Sequence, residues 1–227
     1  TVFLKQLIGV FIFCQAILFF IIYTQMYSTL VVFANNNIDL NILGFEVPPA
    51  SFTSLNPFWI LVLSPILAKI YLYLSEKKIS LITTDKYSIA MLLCSIAFII
   101  LILASDASSS SKISGWWLVL YYLLTSVAEL FISAVGLVVA AQYFPRDKIS
   151  FCMGAWLLSA GCGNTIAGKL AGYVAMPEGG FGAAKSLEIF HSYFYVLATI
   201  CMIASIIFII FTYVFRRVAK INNLELV

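Results

Sequence analysis

Charge is what this sequence has least of. Only 10% of its 227 residues are Asp, Glu, Lys or Arg, against 63% hydrophobic residues, whereas a soluble domain carries about 25% charged residues. So few charges cannot cover a water-facing surface, and a mean hydropathy of +1.04 points to lipid as the solvent. Histidine is reduced to His191 alone. One imidazole cannot build a multi-histidine metal site, and its place near the outer end of the last apolar stretch predicts an interfacial or packing role. The five cysteines, Cys14, Cys94, Cys152, Cys162 and Cys201, fall inside apolar segments without CxxC or metal-ligand spacing. They read as small buried fillers, with no metal site. No GxxxxGK[ST] loop is present, which argues against ATP-driven pumping by this chain. Neither a nucleophile–His–acid arrangement nor a potassium-filter sequence occurs, so no enzyme and no bound cofactor is expected. The net charge of +3 is small, and the basic residues cluster near the ends of apolar runs, so they speak to topology rather than to nucleic acid. The chain begins at Thr1 with no visible initiator methionine or signal peptide, and reads as a fragment or a processed chain.

Long apolar runs are what the sequence has instead. Crossing the hydrocarbon core takes about 20 predominantly apolar residues, and six stretches qualify, at about 5–34, 51–74, 88–105, 115–144, 149–176 and 189–213. The predicted fold is all-α and integral to the membrane, a bundle of six transmembrane helices. The connections alternate in charge. Lys5 precedes the first span; the 35–49 loop holds Asp39 and Glu46 but no cation; Lys77, Lys78 and Lys86 follow the second span. Residues 106–114 are serine-rich with one lysine, Arg146 and Lys148 fill the fourth connection, Glu178 and Lys185 the fifth, and Arg216, Arg217 and Lys220 follow the sixth span. The positive-inside rule then puts both termini in the cytoplasm. Lys69 and Lys169, near span ends, are expected to snorkel. A 3+3 division into inverted repeats, common among secondary transporters, is compatible with this layout.

Polar residues at membrane depth are the candidates for function. Glu129 sits in the middle of the fourth span, where insertion scales put the cost of an acid at roughly 2.5–3.5 kcal/mol. Ser126, Glu129, Ser133 and Gly136 recur at steps of three and four residues, which puts them on one helical face. Glu129 is either a ligand- or proton-binding acid or a packing group paired with a lysine or the backbone, and its depth favours function. In the first span Thr24, Gln25 and Ser28 interrupt an apolar helix, either to bind a ligand or to bond a neighbouring helix. In the second, Asn56 precedes Pro57, and Pro65 follows; Asn56 either caps a local break or reaches a substrate. The fifth span carries Trp156, Ala160, Asn164, Gly168 and Gly172 at four-residue intervals. The glycines there suit close helix contact, and Trp156 is expected to wall a pocket.

At these residues the chain resembles the proton-dependent oligopeptide transporter family, a branch of the major facilitator superfamily. Residues 51–68, SFTSLNPFWILVLSPILA, look like the family's eighth helix; 128–137, AELFISAVGL, like its tenth; 153–168, MGAWLLSAGCGNTIAG, like its eleventh; and 25–34, QMYSTLVVFA, like its seventh. The likeness covers essentially the whole chain and is strongest to bacterial dipeptide and tripeptide permeases of the inner membrane. It implies that the six spans are the carboxy-terminal bundle of a twelve-helix major facilitator fold. The implied activity is proton-coupled uptake of di- and tripeptides across the inner membrane, with the proton as coupling ion and no cofactor. Glu129 matches the glutamate that receives the peptide amino terminus and is the candidate for proton coupling. Asn56 matches an asparagine contacting the peptide, Ser133 and Trp156 match cavity positions, and Gln25 and Ser28 match the seventh-helix part of the site; Ser126 joins them by its place on the Glu129 face. Ala134 stands where many members have proline, and Thr24 near where some have an acid. The family's ExxER motif is absent, and the resemblance implies a partner amino-terminal six-helix half in the same or a separate chain. The competing expectations are a major facilitator transporter of another amine or drug-like cation, and a non-transporting half-transporter subunit.

Overall fold

The computed structural model describes residues 2–42, 44–108, 112–133, 135–174 and 182–221; Ala134, Met176 and Glu178 fall outside them. Helix α1 (Val2–Tyr23) passes through a 3-10 turn at Thr24–Tyr27 into α2 (Thr29–Asn37). A second 3-10 turn at Pro49–Ser54 leads into α3 (Leu55–Glu76), and α4 spans Thr83–Ala107. Then come α5 (Trp116–Ile132), α6 (Val135–Tyr143), α7 (Ile149–Ala171) and α8 (Ala183–Ile221).

Among the described residues, five helical stretches are long and apolar enough to cross a membrane: Phe3–Asn37, Pro49–Glu76, Thr83–Ala107, Arg146–Val174 and Ala183–Ile221. Within the expected fourth span the described residues form α5 and α6, and α5 with its 17 residues falls short of that length alone. Helix α8 far exceeds the expected 189–213. Its 39 residues extend about 58 Å at ~1.5 Å per residue, nearly twice a hydrocarbon core of ~30 Å. Helix α4 starts at Thr83 rather than near Ser88, because the Asp85 carboxylate accepts the Ile82 N–H at 2.9 Å and caps the first turn.

A helix can break at membrane depth only where side chains or cavities take up the freed backbone groups. At the α1–α2 break they do. The Gln25 side-chain amide donates to the Ile21 carbonyl at 3.0 Å, the Ser28 hydroxyl to the Thr24 carbonyl at 3.4 Å, and the Tyr122 hydroxyl to the Met26 carbonyl at 2.9 Å. The Tyr122 bond ties α5 to the break. Tyr122→Phe orphans that buried carbonyl, and we expect about 1–2 kcal/mol of lost stability, read as a lower melting temperature in detergent with unchanged helix content. Helix α5 ends at Ile132, and the Ser133 N–H donates to the Glu129 carbonyl at 2.8 Å.

Helix α4 packs against both α5 and α8, α1 against α7, and α3 against α5. Lipid offers no hydrophobic drive for helix association, so close packing carries it. Aromatic pairs fill the centre: Phe98 meets Tyr121 edge-on at 5.3 Å and Phe33 meets Phe190 at 5.1 Å. Ser95 and Ser205 staple α4 to α8 by donating to the Ala198 and Ser88 carbonyls, both at 2.9 Å. Cys94, Cys152 and Cys201 are buried fillers as expected, but Cys14 and Cys162 are exposed on the outer faces of α1 and α7. Within this bundle the close helix contact of α7 is made by a glycine outside the four-residue series. Gly163, not Gly168 or Gly172, meets α1: a Cβ there would stand 2.7 Å from Phe20 Cβ and 2.8 Å from the Ile17 carbonyl. Gly154, Gly161, Gly168 and Gly172 have open space beside them, since they point away from this bundle.

One end of the bundle is ordered by short strands. β1 (Ile38–Asp39) pairs in parallel with β4 (Ile113–Ser114), and β2 (Asn41–Ile42) pairs antiparallel with β3 (Phe45–Glu46). The second pair turns through Gly44 at φ +87°, a conformation that favours glycine. Buried Asn37 ties this end to α8, donating to the Ala183 carbonyl and accepting from the Ser186 hydroxyl, both at 2.7 Å. His191 pairs with Asp106 at 3.1 Å between α8 and the end of α4.

Candidate functional site

Asn56 lies in the first turn of α3, and Pro57 follows it where a missing N–H goes unneeded, so the helix begins here rather than breaking. With no capping bond to make, the Asn56 side chain crosses to α5. Its amide donates to the Glu129 carboxylate at 2.8 Å and to the Ser126 hydroxyl at 3.1 Å, and Ser126 returns a bond to the Asn56 carbonyl at 3.4 Å. The amide oxygen accepts from the Tyr27 hydroxyl at 3.3 Å. The Tyr23 hydroxyl lies 3.3 Å from that of Tyr27.

The network has a dry floor and an open edge. Asn56 is 3% exposed and Ser126 0%, whereas Glu129 is half-buried and Tyr27 is 49% exposed. Among the described residues the ion pairs are His191–Asp106 and Arg216–Asp85, so no cation stands within ion-pair distance of Glu129. A carboxylate held by neutral donors on an accessible face is suited to take a cationic group or a proton from outside the bundle. Among the described residues no group of three or more His, Cys, Asp or Glu side chains could hold a metal.

Glu129, Ser126 and Asn56 therefore come together as one cluster. Ser133 is exposed one turn beyond Glu129 at the end of α5. The other candidates lie elsewhere. Gln25 is fully buried, and its amide oxygen accepts from the Thr29 hydroxyl at 2.5 Å and from the Tyr193 hydroxyl at 2.9 Å. Ser28 bonds its own helix. Trp156 is 6% exposed, wedged 6.0 Å from both Phe13 and Phe20 and lying over Gly136, where any Cβ would stand 2.1 Å from the indole. It packs α7 onto α1 and α6. Thr24 donates to the Asn164 side chain at 2.6 Å, joining the α1 break to α7. Tyr23 and Tyr27 are the site residues that sequence reasoning missed. Their four-residue spacing across the Thr24–Gln25 interruption is the signal that could have found them.

The chain is 40% identical over 191 residues to the dipeptide and tripeptide permease A of Proteus mirabilis, which covers 84% of this chain and 38% of that protein. It is 35% identical over 205 residues to the dipeptide and tripeptide permease B of Photorhabdus asymbiotica, covering 89% and 42%. The chain thus spans about two fifths of the length of the curated relatives it matches. Among solved structures, tetrameric PepTSo2 superposes with a TM-score of 0.80 at 27% identity, over 93% of this chain and 43% of that one. A peptide transporter POT in complex with sulfate superposes at 0.77 and 22% identity, over 91% and 40%, a likeness of fold alone. The bundle is that of a major facilitator fold. Residues 4–187 match the POT family, and the chain belongs to that family.

Proposed function

We propose that this chain is the carboxy-terminal bundle of a proton-coupled symporter that takes di- and tripeptides across the inner membrane, with both of its ends in the cytoplasm. The observation that carries this reading is the Asn56–Glu129 pair, a 2.8 Å bridge between α3 and α5 on an accessible face. Glu129 receives the peptide ammonium and exchanges the proton. Asn56 holds the carboxylate in place and offers its amide to the peptide backbone. Main-chain recognition of this kind tolerates many side chains. The names of the relatives support the peptide as substrate, and the alternation of basic loops supports the orientation.

An amino-terminal six-helix half, in the same or a separate polypeptide, completes the transporter. Helix α3 buries only Asn56 and Leu67 within this bundle, and α7 only a narrow stripe. The open glycines Gly154, Gly161 and Gly168 recur every seven residues along α7, a spacing that suits close approach by another helix. Alternating access is then a rocking of the two halves about the shared site.

The test is uptake of a labelled dipeptide by the full transporter in proteoliposomes. Uptake should require an inward proton gradient and be competed by other dipeptides. Uptake that persists after the gradient is dissipated, or that is competed by a simple organic amine as well as by dipeptides, would overturn the assignment. Asn56→Ala should lower uptake about tenfold, chiefly through a raised KM, since it removes one donor to Glu129 and leaves the charge. A change confined to kcat would contradict the binding role of Asn56.

A further inference from the structure

The end of the bundle opposite the short strands carries two clefts beside the 77–82 turn. One, of about 440 Å³, lies between α3 and α4 and is lined by Tyr71, Lys78 and Lys86. The other, of about 420 Å³, lies between α4 and α8, with Lys78 and Arg216 among its polar groups and Leu92 and Ile209 on its walls. Further along the same α4–α8 seam a third cleft, of about 380 Å³, is lined by Ile99, Met202 and Ile203. The Ser88–Ser205 bond underlies the second cleft and the Ser95–Ala198 bond the third. The second and third clefts thus follow one another along the stapled α4–α8 groove, the former with a cationic mouth and the latter lined almost wholly by apolar side chains.

The charge at the mouth is arranged for an outside anion. Asp85 already accepts the Ile82 N–H and the Arg216 guanidinium, which also bonds the Ser80 carbonyl at 3.0 Å. Arg216 remains 46% exposed, with donors to spare. Lys86 lies over the Tyr71 ring at 5.8 Å and Lys77 over the Tyr73 ring at 5.7 Å, while Glu76 is the other acid near this turn. Lys78 is the telling residue. It closes α3 in a left-handed conformation with φ 56°, its N–H bonded to the Ser75 carbonyl and that of Ile79 to the Leu74 carbonyl, both at 2.9 Å. Glycine fits this helix-ending position without strain and lysine does not. The ammonium is what the strained residue adds.

We propose that the α4–α8 groove binds an anionic phospholipid of the adjoining leaflet, its phosphate between Lys78 and Arg216 and an acyl chain along Leu92, Ile209 and Met202. Cations at a membrane surface attract acidic lipids, and only a lipid uses the mouth and the apolar groove together. This site is separate from the Asn56–Glu129 cluster and stands whether or not the chain transports peptides.

Native mass spectrometry of the delipidated full protein, titrated with phosphatidylglycerol or phosphatidylcholine, tests it. Phosphatidylglycerol should bind at least fivefold more tightly. Lys78→Gly should weaken that binding about fivefold while the melting temperature holds or rises, because glycine suits the left-handed position and misfolding is thereby separated from lost charge. Ile209→Trp, which fills the groove wall, should weaken it as well. Equal affinity for the two lipids, unchanged binding in Lys78→Gly or in Ile209→Trp, or displacement of the lipid by an equal concentration of inorganic phosphate would each overturn the proposal.

Discussion

Glu129→Gln should lower proton-driven dipeptide uptake by at least about 100-fold in reconstituted full transporter. The substitution keeps the size of the side chain and an oxygen to accept the Asn56 amide, which stands 2.8 Å away in the parent. What it removes is the charge. Losing one member of a desolvated, hydrogen-bonded charge pair costs about 2–5 kcal/mol, and ~3 kcal/mol corresponds to a factor of roughly 100. The neighbouring groups, Tyr23, Tyr27 and Ser126, are neutral and cannot replace the lost anion. The fold should not suffer, since no cation of this bundle depends on Glu129 among the described residues. A melting temperature close to that of the parent, together with lost uptake, is the expected pair of results. Normal proton-driven uptake in Glu129→Gln would remove Glu129 from both of its proposed roles.

Gly163→Val should be strongly destabilising, costing about 3 kcal/mol or more of stability. A Cβ at this position meets Phe20 Cβ at 2.7 Å and the Ile17 carbonyl at 2.8 Å. Neither neighbour is the end of a flexible side chain, so α1 and α7 must separate. That seam also holds the Thr24–Asn164 bond and the buried Trp156, so the damage reaches the α1 break. Gly161→Val is the control on the same helix, because its added atoms enter open space within this bundle. Thermal unfolding of the isolated bundle in detergent should show a large loss for Gly163→Val and little change for Gly161→Val. Equal effects at the two positions would contradict the α1–α7 packing.

The sequence reveals chemistry at membrane depth more readily than it reveals which side of a helix that chemistry faces. Glu129 and Ser126 could be placed together because three-residue spacing fixes a helical face, and Asn56 was marked by the proline beside it. Their union across two helices depends on the α3–α5 contact, which no local pattern encodes. Gln25 reads from its residue type as either a ligand group or an interhelical bond, and in this bundle its amide bonds the Ile21 carbonyl and the Thr29 and Tyr193 hydroxyls at the α1–α2 break. Trp156 faces Gly136 because a tryptophan at this depth finds its space opposite a residue without a side chain. Helix existence was legible from the length of the apolar runs. The α1 contact of Gly163 was not: Gly163 and Gly168 are equally small, and only the neighbouring helix decides which meets it.

The role proposed for Glu129 is to read the peptide amino terminus. Its most direct test is the ratio of uptake between a dipeptide and the same dipeptide acetylated on its amine, measured side by side in parent and Glu129→Gln. The parent should prefer the free amine by about 100-fold, the factor that ~3 kcal/mol of charge-assisted binding supplies, and the variant should bring that ratio close to one. A variant that transports measurably and keeps the parent's preference for the free amine would place amine recognition elsewhere and contradict the assignment.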